Sequence, residues 1–211
     1  MIGIRLFFLT ALKEWKPLAE QGSAAAQNSL GWMNQKGEGV PQNYKTALKW
    51  YRLAAEQGDA RAQSNLGLMY SSGKGIPQDI ETAVKWWKLG AEQGNAPAQL
   101  NLGLMYAEGE GVPQDHKTAV KWWKLAAEQG NADAQGNLGV MYAFGTGVLK
   151  DYVYAHMWGN IAATNGYKLG AKLRDSVAKK MTPADISKAQ DLARECIRKK
   201  FKGCCVRCEV I

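Results

Sequence analysis

The sequence predicts an all-α solenoid of helix pairs that repeat every 36 residues. The tetrad A-E-Q-G recurs at this interval, and a degenerate copy, A-T-N-G, ends at Gly166. Leu-Gly recurs in the same register. A fixed period between about 20 and 50 residues is typical of a stacked array in which each unit contacts mainly its neighbours. The tetrads end at Gly22, Gly58, Gly94 and Gly130, and the Leu-Gly pairs at Gly31, Gly67, Gly103 and Gly139.

The same period predicts the domain organisation. Thr-Ala-Leu-Lys at 10–13 lies 36 positions before the same four residues at 46–49, so the chain opens with the second half of a repeat. The apolar start also resembles a short signal peptide, but charged residues soon interrupt it. The compartment therefore stays open: cytoplasmic as the chain reads, periplasmic or secreted if a signal peptide preceded it. We expect a half-repeat helix at 1–21, about four repeats at 22–166, capping helices at 167–203 and a disordered tail at 204–211.

Residues 59–94 illustrate the expected fold of one repeat. Asp59 and Asp79 each stand where a helix cap is needed, before a segment with apolar residues at helical spacing. Paired glycines and a proline between the two segments indicate a turn. The first helix is expected to end near Tyr70. The second is expected to end at Gly94, in the left-handed conformation that glycine tolerates.

Two features of the repeat require a packing explanation. Gly67 lies within the first helix, where glycine costs about 1 kcal/mol relative to alanine, so we expect a neighbouring helix to approach closely there. Adjacent aromatic residues on the second helix point about 100° apart, so at most one of each pair can face solvent. Core packing is favoured over a stacking platform for sugars or bases. The pairs are Trp50/Tyr51, Trp86/Trp87 and Trp122/Trp123.

The repeat resembles the SEL-one-like repeat, a subfamily of the tetratricopeptide repeats that is common in bacterial proteins. The shared pattern reads A-x-A-Q-x-N-L-G-x-M-Y-x-x-G-x-G-V-P-Q-D and continues with T-A-x-K-W-W-x-L-A-A-E-Q-G-N, over about residues 5–166. The resemblance implies a right-handed superhelix of antiparallel helix pairs that serves mainly as an adaptor for other proteins. Because one fold hosts many functions, this functional expectation is an analogy.

The resemblance also implies a binding groove lined by the first helix of each pair. Asparagines on the groove side offer both a donor and an acceptor, which suits the backbone of an extended peptide, and apolar residues beside them could take its side chains. The alternative is that the asparagines tie neighbouring helices together. The predicted peptide-binding residues are Ser29, Trp32, Lys36, Arg61, Asn65, Leu68, Ser72, Asn101, Leu104, Glu108, Asn137, Val140 and Phe144.

Charge is distributed unevenly along the chain. The net charge is +8, yet residues 22–166 carry 12 basic and 12 acidic residues, and residues 167–211 contribute 12 basic and five acidic ones. A neutral array argues against wrapping nucleic acid, and we expect the basic segment to be a solvated capping helix. No stretch approaches the ~20 apolar residues of a membrane span. The expected partner is a protein or peptide, and the N-terminal half-repeat could permit weak end-to-end self-association.

The alternative to an adaptor is an enzyme. Some cysteine-rich relatives in the resembled family are described as penicillin-binding or weak β-lactamases, so the alternative function is a penicillin-interacting or cell-wall-related hydrolase. S-x-x-K occurs at 71–74 and 176–179, but neither S-D-N nor K-T-G exists. His116 and His156 are the only histidines, and no nucleophile–base set can be assembled around them. We therefore expect no catalytic residue, no cofactor and no metal.

All four cysteines follow the repeats, so the array is expected to fold without disulfides. A capping helix that begins at Thr182 carries Cys196, and the other three cysteines lie in the tail. A zinc site that uses all four is one interpretation. A C-a-a-X lipidation signal at Cys208 is a second. The favoured third interpretation is a disordered, reactive tail that contains Cys204, Cys205 and Cys208.

Overall fold

The computed structural model describes residues 2–204 of the chain, with the side chains of residues 8 and 10–204. Within this range the chain forms eleven α-helices and no β-strand. The helices are α1 (Ile2–Glu20), α2 (Ala24–Lys36), α3 (Tyr44–Glu56), α4 (Ala60–Ser72), α5 (Ile80–Glu92), α6 (Ala96–Glu108), α7 (His116–Ala127), α8 (Ala132–Phe144), α9 (Tyr152–Thr164), α10 (Gly170–Ala178) and α11 (Pro183–Arg198).

These helices confirm the predicted all-α array of helix pairs. The first helices of the four pairs (α2, α4, α6 and α8) begin 36 residues apart, and so do the second helices (α3, α5, α7 and α9). The chain divides into two compact units, Met1–Ala98 and Gln99–Ile211. In the first unit, the helices α1 to α5 pack each on the next. In the second, α8 packs on α7 and α9, and α9 also packs on α10 and α11.

The helix ends follow from local side chains and glycines. Asp59 and Asp79 each accept a hydrogen bond from the backbone N–H three residues later, at 2.8 and 2.9 Å, which confirms the predicted helix starts. The first helix runs to Ser72, two residues beyond the predicted end, because Gly73 adopts the left-handed conformation (φ 67°) that terminates it. Gly94 has φ 85°, as predicted for the end of the second helix.

The repeated mid-helix glycine makes room for a buried aromatic ring. A Cβ atom added to Gly67 would lie 2.6 Å from the indole of Trp87, which is buried and donates its Nε1–H to the carbonyl of Ser64 at 3.1 Å. The expected close approach is therefore confirmed, and so is the core role of the aromatic pairs: the second member is buried and the first is half-buried. The equivalent contacts join Gly31 to Tyr51 and Gly103 to Trp123.

Buried glutamines connect successive helices in every repeat. Gln63 on α4 is buried and donates its amide to the carbonyl of Ala55 at 3.2 Å. Its own Oε1 accepts a hydrogen bond from Gln93 at 2.8 Å. These bonds explain why glutamine recurs in both A-x-A-Q and A-E-Q-G, since a buried amide needs partners. The equivalent pairs are Gln27–Gln57, Gln99–Gln129 and Gln135–Asn165.

The C-terminal cap uses a change at one repeat position. Gly159 on α9 occupies the register of Trp87 and Trp123. A Cβ atom there would lie 3.1 Å from the backbone of both Gly170 and Arg174. Because residue 159 has no side chain, α10 packs directly against α9. In the other repeats, an aromatic ring at this position fills the space.

A disulfide between Cys196 and Cys204 closes the end of α11. This contradicts the assignment of Cys204 to a free tail and removes it from the zinc alternative, which needed Cys196 as well. After α11, Lys200 and Phe201 take positive φ values of 51° and 66°. The chain thus turns back until the Cα atoms of the two cysteines are 5.2 Å apart. The interpretations that concern Cys205 and Cys208 lie outside the described residues.

Candidate peptide-binding stripes

The predicted binding residues lie on the exposed side of the first helices. We call each set of four positions a stripe. All the stripe positions are exposed or half-buried, whereas Leu30, Leu66, Leu102 and Leu138 of the repeated Leu-Gly pairs on the same helices are buried. Each stripe includes an exposed apolar side chain: Trp32, Leu68, Leu104 or Val140. The stripes are Ala25, Ser29, Trp32 and Lys36 on α2; Arg61, Asn65, Leu68 and Ser72 on α4; Pro97, Asn101, Leu104 and Glu108 on α6; and Asp133, Asn137, Val140 and Phe144 on α8.

In the first unit, one stripe asparagine already has a protein partner. Asn65 Nδ2 donates a hydrogen bond to Asn28 Oδ1 at 3.0 Å, so it ties α4 to α2 as the alternative interpretation proposed. No hydrogen bond among the described residues uses Asn65 Oδ1. Ser29 donates its hydroxyl to Ala25 on its own helix at 2.9 Å. Sequence reasoning missed Asn28 because its equivalents are Ser64, Leu100 and Gly136, which show no repeating polar signal.

In the second unit, the stripe asparagines are differently placed. Asn101 and Asn137 are both half-buried, and no hydrogen bond between described residues involves either amide. Beside them lie Leu104, Val140 and Phe144, the last with 74% of its surface exposed. The second unit therefore presents two amides that form no hydrogen bond with a described residue, next to exposed apolar side chains.

The charges of the stripes differ between the units. Lys36 and Arg61 are exposed in the first unit, and Glu108 and Asp133 are exposed in the second. Arg61 lies 3.4 Å from Asp59, the cap of its own helix. An exposed pair of this kind contributes at most about 1 kcal/mol, so the guanidinium can exchange this partner for a ligand at little cost.

The serines and lysines of the S-x-x-K matches have other partners or are simply exposed. Ser71 Oγ donates to the carbonyl of Leu68 at 3.1 Å, and Lys74 Nζ lies 6.0 Å from the ring centroid of Tyr44. Ser176 and Lys179 are exposed at the end of α10 and just beyond it. Within residues 2–204, no cluster of three or more His, Cys, Asp or Glu side chains could hold a metal ion.

Each histidine has a buried nitrogen without a protein partner. His156 is buried on α9, and neither its Nδ1 nor that of His116 forms a hydrogen bond with a described residue. Burial is the largest cause that lowers the pKa of His156. The positive charge of Arg174 lowers this pKa further, and Asp175 acts in the opposite direction. His156 is thus held neutral between α9 and the cap.

The length and polarity of the helices bear on whether any of them could span a membrane. Among the described helices, none combines the length and apolar character that crossing a lipid bilayer requires.

The repeats match a known family over most of the chain. The Sel1 repeat matches residues 24–59, 60–95, 96–131 and 132–167. The chain therefore belongs to the Sel1 repeat family, as the resemblance to the SEL-one-like repeat predicted. Sel1 repeat proteins are generally scaffolds for protein interactions and are typically not enzymes. No curated protein sequence matches the chain.

Several solved structures share this fold. A protective antigen named c5321, present in uropathogenic Escherichia coli strains, is 39% identical with a TM-score of 0.84; the match covers 93% of this chain but 42% of that protein. A Sel1 repeat protein from Oxalobacter formigenes is 35% identical with a TM-score of 0.77, over 92% of this chain and 78% of its own. The immunity protein Pa5087 from Pseudomonas aeruginosa shares the fold at 20% identity and a TM-score of 0.54, over 94% and 75% of the chains.

Proposed function

We propose that this chain is a non-enzymatic adaptor that binds an extended segment of another protein along its stripes, in the concave groove expected of such arrays. The observation that carries the proposal is the exposed apolar side chain that recurs in every stripe. Burying an apolar side chain is favourable by about 25 cal/mol per Å². An apolar side chain is exposed at the same position of the first helix in all four repeats. A partner that covers these positions would account for this.

The polar groups of the stripes suit the backbone of such a segment. An extended peptide presents N–H and C=O groups that must be paired when they are buried. Asn101 and Asn137 can each donate and accept hydrogen bonds. In the first unit, Asn65 Oδ1 adds an acceptor. Affinity would then come from apolar contacts, and the amides would fix the orientation of the segment.

Affinity capture from the native cell extract tests the proposal. The stripe variant carries Leu68→Ser, Leu104→Ser and Asn137→Ala, and spares Asn65 because of its bond to α2. The chain itself offers a matched control, since Leu53, Leu89 and Leu125 on the second helices are 46%, 45% and 44% exposed, like Leu68 at 45%. Replacing these three leucines with serine removes at least as much exposed apolar surface elsewhere.

We expect the wild type and the control variant to capture the same proteins, and the stripe variant to lose them. Circular dichroism and urea titration should give the same helix content and stability for both variants. Capture that survives in the stripe variant but fails in the control would place binding on the second helices and overturn the proposal.

A further inference from the structure

The turn between α8 and α9 departs from the repeat at three positions. In the first three repeats, the first helix ends on a polar residue, and Pro-Gln follows five residues later. In the fourth, these positions hold Phe144, Leu149 and Lys150. Phe144 is 74% exposed and Leu149 is 68% exposed, the two highest values among the large hydrophobic residues described. The residues replaced are Lys36, Ser72 and Glu108; Pro41, Pro77 and Pro113; and Gln42, Gln78 and Gln114.

The fold of the turn does not require these changes. Gly145 and Gly147 keep the left-handed conformation of the other turns (φ 75° and 70°). The backbone hydrogen bond from Asp151 to Tyr142 at 2.9 Å matches the bond from Asp79 to Tyr70 at 3.0 Å. The other turns gain a further hydrogen bond, because each glutamine donates its side-chain amide to a carbonyl near the end of the first helix, at 2.8–2.9 Å. The fourth turn lacks this glutamine and exposes two apolar side chains instead.

The two apolar residues flank the base of the turn, next to a pair of lysines. A Cβ atom on Gly145 would be 3.0 Å from the Cβ of Lys150, so the turn brings Gly145, which follows Phe144, against Lys150, which follows Leu149. Lys150 Nζ lies 4.9 Å from the ring centroid of Tyr152, and Lys180 Nζ, from the end of α10, lies 5.6 Å from it. No ion pair of the described residues involves either ammonium group.

Both lysines lower the pKa of Tyr152, which lies between them. The hydrogen bond from Lys150 is the largest cause that lowers the pKa of Tyr152, and the charge of Lys180 acts in the same direction. Two cations without a carboxylate partner next to exposed apolar side chains form a surface that is complementary to an acidic and apolar ligand.

We propose that the turn patch (Phe144, Leu149, Lys150, Tyr152 and Lys180) binds a protein segment in which an apolar residue stands next to an acidic one. The apolar side chain packs on Phe144 and Leu149, and the carboxylate lies between Lys150 and Lys180. This inference rests on the proposed function, since Phe144 ends the α8 stripe, and it names the chemistry of the segment at that end.

An anionic membrane fits this surface less well. Gly147 packs against the backbone of His116, where an added Cβ would lie 2.5 Å from the carbonyl oxygen. The fourth turn therefore lies against the start of α7, which directly follows the third turn with its exposed Glu110 and Asp115. A lipid surface that met Phe144 would bring its phosphates near these carboxylates, which like-charge repulsion disfavours. A protein segment can place its acidic residue on the lysine side alone.

The turn patch can be tested with residues taken from the corresponding turn of another repeat. Phe144→Ser, Leu149→Pro and Lys150→Gln together restore the residues found at Ser72, Pro77 and Gln78, within a turn of the same backbone. A random dodecapeptide library displayed on phage is selected on the immobilised full chain as wild type and as this turn variant. A third selection uses a stripe variant of the second unit, Asn101→Ala with Leu104→Ser.

We expect the wild type to enrich peptides in which Phe, Leu, Ile or Trp lies beside Asp or Glu, and the turn variant to lose them. For one enriched peptide, Lys150→Gln and Lys180→Gln should each weaken binding about two- to fivefold, as exposed ion pairs do, and added salt should shrink both effects.

The three selections separate this inference from the proposed function. Peptides lost in the stripe variant but kept by the turn variant overturn the inference and support the stripes. Peptides lost only in the turn variant support the inference and overturn the extension of the binding site along the α6 stripe. A selection that enriches no peptide overturns both. Sedimentation with phosphatidylglycerol vesicles that depends on the turn residues, without peptide binding, would assign the patch to a membrane and overturn the inference.

Discussion

Single residues show how strongly the repeat constrains its core. Glycine in the middle of a helix is normally unfavourable by about 1 kcal/mol relative to alanine. Gly67 is retained because the indole ring of Trp87 occupies the space that a Cβ would need, 2.6 Å away. The nearest atoms belong to a buried ring whose Nε1–H is bonded to Ser64, so the ring cannot move aside freely. Packing therefore outweighs helix propensity at this position.

Gly67→Ala is expected to destabilise the protein, by about 1–3 kcal/mol, as overpacking in a close-packed core does. Chemical denaturation with urea measures the effect. Ser72→Ala, an exposed position on the same helix, serves as the control and should change the free energy of unfolding little. A gain of about 1 kcal/mol for Gly67→Ala, as helix propensity alone predicts, would show that the Trp87 contact does not limit this site.

His156 should make the stability depend on pH. Its pKa is lowered in the folded protein by burial and by Arg174, so the unfolded chain takes up a proton first as the pH falls. The stability that neutral His156 provides is therefore complete above about pH 6.5, the unperturbed value, and is lost as the pH falls towards the folded pKa.

Denaturation midpoints measured between about pH 7.5 and pH 5 test this expectation. His156→Gln should flatten the pH dependence. If the slope is the same in the wild type and in His156→Gln, another group controls the acid sensitivity.

At the scale of helices, the array of repeats ends at α9, where the sequence departs from the repeat pattern. Gly159 replaces the core aromatic, and both α10 and α11 pack against α9. Trp158 is completely buried there, whereas its equivalents Trp86 and Trp122 are half-buried. The cap thus covers apolar surface that would otherwise need a fifth repeat, as the ends of solenoids require.

The disulfide fixes the last turn of this cap. It joins residues eight positions apart, and the intervening Phe201 places its ring 3.2 Å from the position of a Cβ on Gly130. Closing a loop of this size stabilises a fold by about 2–3 kcal/mol according to the chain-entropy estimate. The bond therefore holds Phe201 against the turn between α7 and α8.

Replacing Cys196 and Cys204 with serine should lower the melting temperature and expose this turn to proteolysis. The comparison is made in a Cys205→Ser, Cys208→Ser background, so that thiol exchange with the tail cannot blur the result. Peptide mapping without reductant checks the pairing. If both proteins melt at the same temperature while the mapped bond is intact, the C-terminal turn contributes nothing to the stability of the cap.

Over the whole molecule, the features that repeat were predictable and those that occur once were not. The period located the helix pairs, the capping aspartates and the buried aromatics, because four copies of a pattern reveal which positions are constrained. Asn28, whose equivalents are not asparagine, gave no signal for its bond to Asn65. The Cys196–Cys204 pair depended on a backbone reversal at Lys200 and Phe201, which no sequence rule indicated.

The contrast between repeated and single features also bears on whether the protein is an enzyme. A catalytic site needs a nucleophile and a base within hydrogen-bond reach, and such a set would occur once, outside the repeating pattern. Ser71 is bonded to its own helix and Lys74 lies over Tyr44. Ser176 and Lys179 are exposed on the cap. Neither pair stands in a water-excluding pocket that would activate a serine.

Purified protein should therefore give neither a burst nor turnover with a chromogenic β-lactam, and its intact mass should not increase by that of an acyl group. The physical reason is that neither serine has a base positioned to take its proton. A class A β-lactamase at equal concentration serves as the positive control. Acylation that disappears in Ser71→Ala or Ser176→Ala would instead identify a nucleophile and contradict the proposal that the adaptor is not an enzyme.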